Sequence, residues 1–298
     1  MSAGIKLTVN QEEYYFVKNY RDNNNYRQSF NNLTRKIYGF DFEEWYQQGF
    51  WQDKNNPYSL IHKDEVIANA SVNSMDFQVD GEIRHIIQIG TVMTEEAYRK
   101  KGLSKILIDL IIKEYEDQCD LIYLFANDSV LEFYPKFGFS QTEEYEYSRW
   151  FTKKENELAS RKLDMKDEND KKIINRLVSN TLPVSEIAMI GNMGLVMFYL
   201  ISFMSDHIYY IKDLELAVVA EIEEDILYVK DIFCEKYFDL NEVINTLMRK
   251  DNRKVILCFT PLDTSLYFCE IRKEANTTLF IRGKNILGKG MFPALSHA

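Results

Sequence analysis

The sequence predicts an α/β (α+β) protein built on a mixed β-sheet, and it predicts this arrangement twice along the chain. Three observations support this prediction. A meander of apolar strands leads into a strand–loop–helix–strand unit between Ile83 and Ala126. A second meander, from His207 to Cys234, repeats the first in outline. Between them, Tyr147 to Lys172 is charged and poor in large apolar residues, as in a linker or a solvated helix.

The segment before the first meander predicts helices. Glu12 to Tyr20 suggests one helix and Arg27 to Tyr38 suggests a second, with a polar break between them. Two strands are then predicted at Tyr58–Ile61 and Val66–Asp76. An Asp-Gly turn leads into the next strand, Ile83–Met93, in which Gly90 marks a bulge or a close backbone approach.

The strand–loop–helix–strand unit is the best-defined part of the sequence. After the Ile83 strand, the chain has apolar residues at the spacing of one buried helix face, and then the continuously apolar strand Leu121–Ala126. The apolar helix positions are Leu103, Ile106, Leu107, Leu110 and Ile111. The pattern predicts a right-handed crossover between two parallel strands.

The loop that opens this helix predicts an anion site. It reads Arg99-Lys100-Lys101-Gly102-Leu103-Ser104. A glycine at this turn lets the backbone approach a ligand, and the first N–H groups of the helix have no partner of their own. Together with the helix dipole and the three basic residues, they suit a phosphate or pyrophosphate. A solvated basic turn before an ordinary helix is the alternative, since the loop lacks the longer glycine motifs of nucleotide-binding folds.

A later segment decides between these alternatives through a resemblance. Asn127, Tyr134, Gly138 and Phe139 follow the loop in the order and spacing typical of the GNAT N-acetyltransferase superfamily, whose R/Q-x-x-G-x-G/A loop is matched by Arg99 and Gly102. The chain departs from that loop at Ser104, which is small enough to preserve the path of a pyrophosphate. The resemblance covers roughly residues 58–148. It implies the GNAT acyl-CoA N-acyltransferase fold.

The resemblance also implies a donor, acetyl-CoA, and a set of residues that hold it. The loop residues Arg99, Lys100, Lys101, Gly102, Leu103 and Ser104 would hold the pyrophosphate. The backbone of Val92, Met93 and Thr94 would pair with the pantetheine arm, and Asn127 would steady the thiol end. Tyr134 is the candidate general acid for the departing thiolate, with a core tyrosine as its alternative interpretation.

The general base stays open at the level of sequence. The side chains that could face the acceptor are Glu44, Asp76, Glu82, His85 and Gln88. Distant two-domain members of the superfamily use a terminal carboxylate, but the ending MFPALSHA offers no residue-level match. A water relay is equally compatible with the sequence. We therefore assign no base.

An aromatic cluster before the first strand has two interpretations. Its members are Phe40, Phe42, Trp45, Tyr46, Phe50 and Trp51. In the superfamily this region often shapes the acceptor site. Packing of a short amphipathic helix accounts for most of these side chains more simply, so both interpretations are kept.

Composition excludes several classes of function. The formal net charge of -10 argues against a nucleic-acid binder. The four histidines are scattered without metal-binding spacing, so no metal is expected. The apolar stretch Ile187–Met204 contains Asn192 and two glycines and has no basic flank, so we expect a buried helix end followed by a strand instead of a membrane span. We expect a cytoplasmic protein. A homodimer is compatible with the sequence.

Two domains are predicted, 1–152 as the acetyltransferase domain and 153–298 as a degenerate second GNAT-like domain. In the second, the loop Cys234–Asp239 has no R-x-x-G and carries acidic residues, and Leu266–Arg272 is expected to form a hairpin with Thr277–Arg282. The predicted function is direct transfer of an acetyl group to a primary amine of a small molecule or a peptide. The alternatives are a catalytically silent CoA-binding sensor and an enzyme for a longer acyl group. An acidic cleft would favour polycationic acceptors, and a shallow groove would favour peptides.

Overall fold

The computed structural model describes residues 4–155, 158–249 and 253–297, and it contains two β-sheets. The first sheet has nine strands in the order β1-β2-β3-β4-β5-β6-β16-β7, with β10 paired to the far end of β4. Its strands are β1 (Ile5–Val9), β2 (Glu12–Lys18), β3 (Asn55–His62), β4 (Glu65–Val79), β5 (Glu82–Thr94), β6 (Leu121–Ala126), β7 (Ser140–Gln141), β10 (Ile187–Ile190) and β16 (Thr278–Gly283).

The second sheet has seven strands in the order β15-β8-β14-β13-β12-β11-β9. They are β8 (Tyr145–Trp150), β9 (Ser160–Lys162), β11 (Ile208–Ile211), β12 (Leu216–Glu223), β13 (Ile226–Cys234), β14 (Lys254–Leu257) and β15 (Phe268–Ile271). The helices are α1 (Asn24–Tyr38), α2 (Glu43–Gln47), α3 (Leu103–Tyr115), α4 (Glu168–Ser179), α5 (Met193–Ile201) and α6 (Leu240–Leu247). None of the helices in the described ranges has the length and apolar composition that a bilayer crossing requires.

The two sheets follow the same order of pairings around their parallel strands. In the first, β4 and β5 are antiparallel, β5 and β6 parallel, and β6, β16 and β7 antiparallel. In the second, β12 and β13 are antiparallel, β13 and β14 parallel, and β14, β8 and β15 antiparallel. Each parallel pair is connected through a helix, α3 or α6. The tandem fold predicted from the sequence is therefore confirmed.

The sheets exchange one strand. β8 lies early in the chain but completes the second sheet between β14 and β15, whereas β16 lies near the end of the chain and completes the first sheet between β6 and β7. The division into domains at residue 152 stays a prediction. Each sheet contains strands from both sides of this residue. The predicted hairpin of Leu266–Arg272 with Thr277–Arg282 is wrong. Both strands exist, but β15 pairs with β8 and β16 pairs with β6.

Two other sequence predictions need correction. Residues Glu12–Lys18 form a strand instead of a helix, because their side chains alternate, with Tyr14 and Phe16 buried and Tyr15 exposed. The apolar stretch Ile187–Met204 has the predicted elements in reverse order, as the strand β10 precedes the helix α5. The crossover unit is confirmed, and its second strand has the predicted bounds.

Helices cover both faces of the first sheet. On one face α3 packs with Leu107, Ile108 and Ile111 against the inward side chains of the strands. On the other face α1 packs together with the end of the chain, where Phe292 stacks on Tyr123 with 4.0 Å between ring centroids. The sheet is thus buried on both sides where β5 and β6 run next to each other.

Candidate functional site

An opening between β5 and β6 forms a large cleft. The two strands pair only where Ile86–Gln88 meets Leu121–Tyr123, and beyond these residues they separate. The opening is a cleft of about 740 Å³. Its wall includes residues from both faces of the sheet, such as Phe125 from the α1 face and Tyr134 from the α3 face. The cleft therefore connects the two faces.

A β-bulge shapes the wall on the β5 side. The register between β4 and β5 shifts between Asn69 and Ser71, and Thr91 in the bulge has a φ of 47°. Asn69 is fully buried and holds the bulge, because its amide nitrogen donates to the Thr91 carbonyl at 2.9 Å and to the Ser71 hydroxyl at 3.0 Å. Its amide oxygen accepts from Ser59 at 2.8 Å. The bulge predicted at Gly90 is confirmed, and it removes part of β5 from regular pairing.

The start of α3 forms the opposite wall and suits an anion. Gly102 precedes the helix at a φ of 81°, and no side chain caps the first turn. Lys100 also has a positive φ, of 62°. Left-handed residues in a turn direct successive backbone N–H groups to one side, and the uncapped helix adds its dipole. The backbone here has the properties of a pyrophosphate site.

The side chains of the loop differ in direction. Arg99 donates from Nε to the Thr94 carbonyl at 3.2 Å, and Ser104 shares a hydrogen bond of 2.8 Å with the Thr94 hydroxyl. Both residues line the cleft, as do Lys100, Gly102 and Leu103. Lys101 does not line it, because its amine pairs with Glu12 at 2.9 Å. Of the predicted loop residues, Lys101 alone therefore points elsewhere.

The other predicted residues converge on the same cleft. Val92, Met93 and Thr94 line it along β5, and Asn127 lines it just after β6 ends. The Asn127 amide oxygen accepts from the Ser129 backbone at 3.0 Å, which fixes the turn that follows. Tyr134 lines the cleft with 5% of its surface exposed, and its hydroxyl has no hydrogen-bond partner among the described residues. Burial raises the pKa of Tyr134 well above its usual value, so its phenol stays protonated.

Sequence reasoning missed part of the wall. Tyr38 at the end of α1 donates its hydroxyl to the Val92 carbonyl at 2.8 Å, and its ring lies next to Phe40 in the cleft. Phe40 belongs to the predicted aromatic cluster, of which Phe42 and Trp45 are core residues. Asn276 reaches the cleft from the loop between β15 and β16 and accepts from the Asp128 backbone at 3.3 Å. No local sequence signal identifies Asn276, since its position follows from the strand exchange.

The described part of the cleft wall contains none of the candidate bases. The candidates Glu44, Asp76, Glu82, His85 and Gln88 all lie outside it. The charged side chains on the described wall are Arg99, Lys100 and Lys105, all of them basic. His297 stacks behind Phe125 with 3.9 Å between ring centroids, and burial lowers its pKa to about 3, so the imidazole is neutral. Within the described residues, no His, Cys, Asp and Glu side chains group as metal ligands.

The second sheet has an opening at the equivalent position, beside its own parallel pair of strands, but side chains of a different character line it. β13 and β14 pair from Ile226 to Val229 and then separate, with the start of α6 beside the opening. The cavity there is about 260 Å³ and is lined mainly by apolar side chains. Asp239 caps α6 by accepting from the Asn241 backbone at 2.8 Å. A carboxylate therefore occupies the position that an anion would need.

The comparisons with known proteins agree with this geometry. Residues 21–142 match the family model of the acetyltransferase (GNAT) domain. No curated protein sequence matches the chain. Among solved structures, a probable N-acyltransferase from Enterococcus faecalis V583 is 13% identical with a TM-score of 0.59, covering 90% of this chain and 71% of that one.

Two further structures share the fold over the same extent. A GCN5-related N-acetyltransferase from Anabaena variabilis is 15% identical, with a TM-score of 0.56, and covers 90% of this chain and 72% of its own. Eis1 from Mycobacterium abscessus is 13% identical, with the same TM-score and the same coverage. At these identities the likeness concerns the fold. The family match and the fold lead to one conclusion: residues 21–142 are similar to a GNAT acetyltransferase domain, and they form part of a fold shared with GNAT structures.

Proposed function

We propose that the protein transfers an acetyl group from acetyl-CoA directly to a primary amine. The observation that supports this most strongly is the uncapped start of α3 at Gly102, which opens into the same cleft as Tyr134. Acetyl-CoA would supply an activated thioester. In the transfer, the amine nitrogen bonds to the acetyl carbon, the carbon–sulfur bond breaks, and the amine loses one proton while the thiolate gains one.

Each part of the cleft has a role in this proposal. Backbone N–H groups at Lys100 to Ser104, with Arg99 beside them, would hold the pyrophosphate. The bulged backbone of Val92 to Thr94 would pair with the pantetheine arm, and one of its N–H groups would stabilise negative charge on the thioester oxygen. Asn127 would steady the thiol end.

Tyr134 would give its proton to the departing thiolate. Its buried phenol stays protonated until the sulfur leaves, which is the state that a general acid requires. The ring packs between Phe133 and Phe280, with centroids 5.2 Å and 5.9 Å away, so the position of Tyr134 at the cleft is fixed. A cytoplasmic location, where acetyl-CoA is present, fits the proposal.

The test is thiol release from acetyl-CoA with a panel of amines, run beside calorimetric binding of acetyl-CoA. We expect amine-dependent release that is lost in Gly102→Glu, because this change adds a carboxylate at the helix start and strains a φ of 81°. The matched control is Gly102→Ala, which strains the same φ but adds no charge, and whose Cβ meets no atom within 4 Å. It should keep more of the binding than Gly102→Glu, and the difference between the two variants measures the effect of the carboxylate. Tight binding without release on any amine would favour a catalytically silent sensor, and absence of binding would refute the site.

A further inference from the structure

The acceptor end of the cleft indicates which class of amine it takes. This argument rests on the proposed function. The α3 side of the cleft holds the anion-binding loop, so an acceptor must approach from the α1 side. Three rings line that side: Tyr38, Phe40 and Phe125. Behind them, Phe203 packs on Phe40 with 5.3 Å between centroids, and His297 stacks on Phe125. The wall is therefore apolar and supported from behind.

The absence of acidic side chains from the described wall disfavours a multiply charged acceptor. The chain as a whole carries a formal charge of -10, yet no Asp or Glu lies on the described part of the cleft wall. The cations on the wall, Arg99, Lys100 and Lys105, belong to the loop and first turn of α3, not to the acceptor end. A polyamine or an aminoglycoside would bring several positive charges to an apolar wall without a counter-ion, where desolvation opposes binding.

The same wall restricts the protonation state of the acceptor. An ammonium group must lose a proton before it can attack, and the described wall offers neither a carboxylate nor an imidazole to take it. The titratable side chains on the described wall are the phenols of Tyr38, Tyr98 and Tyr134 and the three cations of the loop and α3, with the neutral His297 behind Phe125. None of them is an anion that would stabilise an ammonium ion relative to the free amine.

We propose that the acceptor is a monoamine with an aromatic or similarly apolar body, bound as the free base against the rings of Tyr38, Phe40 and Phe125. Aromatic side chains bind another ring through edge-to-face or offset contacts in addition to the area that they bury. The amine then points to the opening between β5 and β6, where the thioester would lie. Amines of this class reach the reactive state by losing one proton to solvent.

The experiment compares phenethylamine, spermidine, kanamycin and a lysine-containing peptide in the thiol-release assay at saturating acetyl-CoA. We expect kcat/KM for phenethylamine to exceed that for spermidine by at least tenfold, and to rise about tenfold per pH unit below the pKa of the amine. A higher kcat/KM for spermidine, kanamycin or the peptide would overturn the proposal. A preference for hexanoyl-CoA over acetyl-CoA with every amine would also overturn it, since the rings would then hold the acyl chain.

Two variants test the rings directly. Phe40→Glu adds a carboxylate to the wall and should raise the spermidine-to-phenethylamine ratio of kcat/KM at least tenfold, whereas Phe40→Leu should not. Because Phe40 is partly buried, Tyr38→Glu at an exposed position provides a second variant with the same expected direction. Phe268→Glu, on the exposed strand β15, is the matched control and should leave the ratio unchanged. An unchanged ratio in both carboxylate variants would overturn the proposal.

Direct binding separates this inference from the proposed function. Phenethylamine and spermidine are titrated calorimetrically into the protein saturated with CoA. If no amine is acetylated but phenethylamine binds and spermidine does not, the enzymatic proposal fails and the acceptor site stands. If spermidine binds more tightly than phenethylamine, the acceptor proposal fails whatever the activity.

Discussion

The two openings of this molecule have the same architecture and opposite chemistry. Both form where a bulged strand separates from its parallel neighbour, with a helix starting beside the gap. In the first, the helix starts at a glycine without a side-chain cap, and three basic residues line a cleft of about 740 Å³. In the second, Asp239 caps the helix, and the cavity of about 260 Å³ is mainly apolar. The shared topology thus creates an opening, and a few loop residues determine which ligand it suits.

The charged residues of the second loop reinforce this difference. Lys236 forms an ion pair with Glu215, and the neighbouring Glu235 pairs with Arg176 at 3.2 Å. The positive charge of Lys236, which could otherwise attract an anion, is therefore neutralised by another side chain of the protein. In the first loop, Arg99 and Lys100 form no ion pair within the described residues, and they face the cleft. The comparison predicts that changes in the first opening affect the chemistry and that equivalent changes in the second do not.

The largest expected effect comes from separating the two sheets. A fragment of residues 1–152 lacks β16, which buries Leu279, Phe280 and Ile281 against β6. Three such side chains contribute about 1.5–3 kcal/mol each, or roughly 5–9 kcal/mol together. This is comparable to the whole stability of a typical domain, about 5–15 kcal/mol. We expect no cooperative thermal unfolding of the fragment by circular dichroism.

Co-expression provides the control for this prediction. The fragment 153–298 carries β16, and the fragment 1–152 carries β8, so each supplies the strand that the other sheet lacks. The two should therefore purify together and regain a cooperative transition. A fragment 1–152 that unfolds cooperatively and binds acetyl-CoA alone would show that the exchange does not join the sheets energetically.

This exchange also shows where sequence reasoning reached its limit. The helix from Leu103 to Tyr115 and the strand Leu121–Ala126 could be predicted because their apolar periodicity is local. The pairing of Ile281 with Tyr123 could not, since ladder hydrogen bonds join backbones and carry no side-chain signature across such a distance in sequence. Asn276 enters the cleft only because of that pairing. The motif residues of the cleft, in contrast, could be predicted because their spacing is short.

Tyr134→Phe should have the next largest effect. Removing the phenol should lower kcat by about 10²–10⁴-fold, the usual contribution of a general acid, and leave acetyl-CoA affinity unchanged. Because burial raises the pKa of Tyr134, kcat of the unchanged protein should not fall with pH up to about pH 10. Steady-state kinetics across pH measure both quantities. The matched control is Tyr267→Phe on the second cavity, which should leave kcat unaltered. Full turnover in Tyr134→Phe would contradict the assigned role.

Asn69→Leu should have a smaller effect on both stability and binding. The change leaves the Thr91 carbonyl and the Ser59 and Ser71 hydroxyls without their buried partner, and each unsatisfied group costs about 1–3 kcal/mol unless it finds a substitute. We expect a loss of about 2–4 kcal/mol in the free energy of unfolding by urea titration. The KM for acetyl-CoA should also rise, because the bulge would no longer be fixed.

The bulge of the second sheet supplies the control for Asn69. The register of β12 and β13 shifts so that Lys230 is the extra residue, and its amine pairs with Glu221 at 2.8 Å. Lys230→Met leaves Glu221 without this partner and should lower the free energy of unfolding. It should leave KM unchanged, because the ion pair lies in the second sheet. Equal effects of the two substitutions on KM would mean that the Asn69 network does not position the cleft.

The smallest effect tests whether a missing cap alone turns an opening into an anion site. Asp239→Ala removes the carboxylate that accepts from the Asn241 backbone, and loss of such a cap costs about 1 kcal/mol. The start of α6 would then lack a side-chain cap, like the start of α3. We still expect calorimetry to give one acetyl-CoA per chain, because Lys236 remains paired with Glu215 and the walls remain apolar. A second binding event would mean that the cap is the decisive difference between the openings. An unchanged stoichiometry, with a melting temperature lowered by a few degrees, would mean that basic charge facing the cleft and a left-handed residue before the helix are also required.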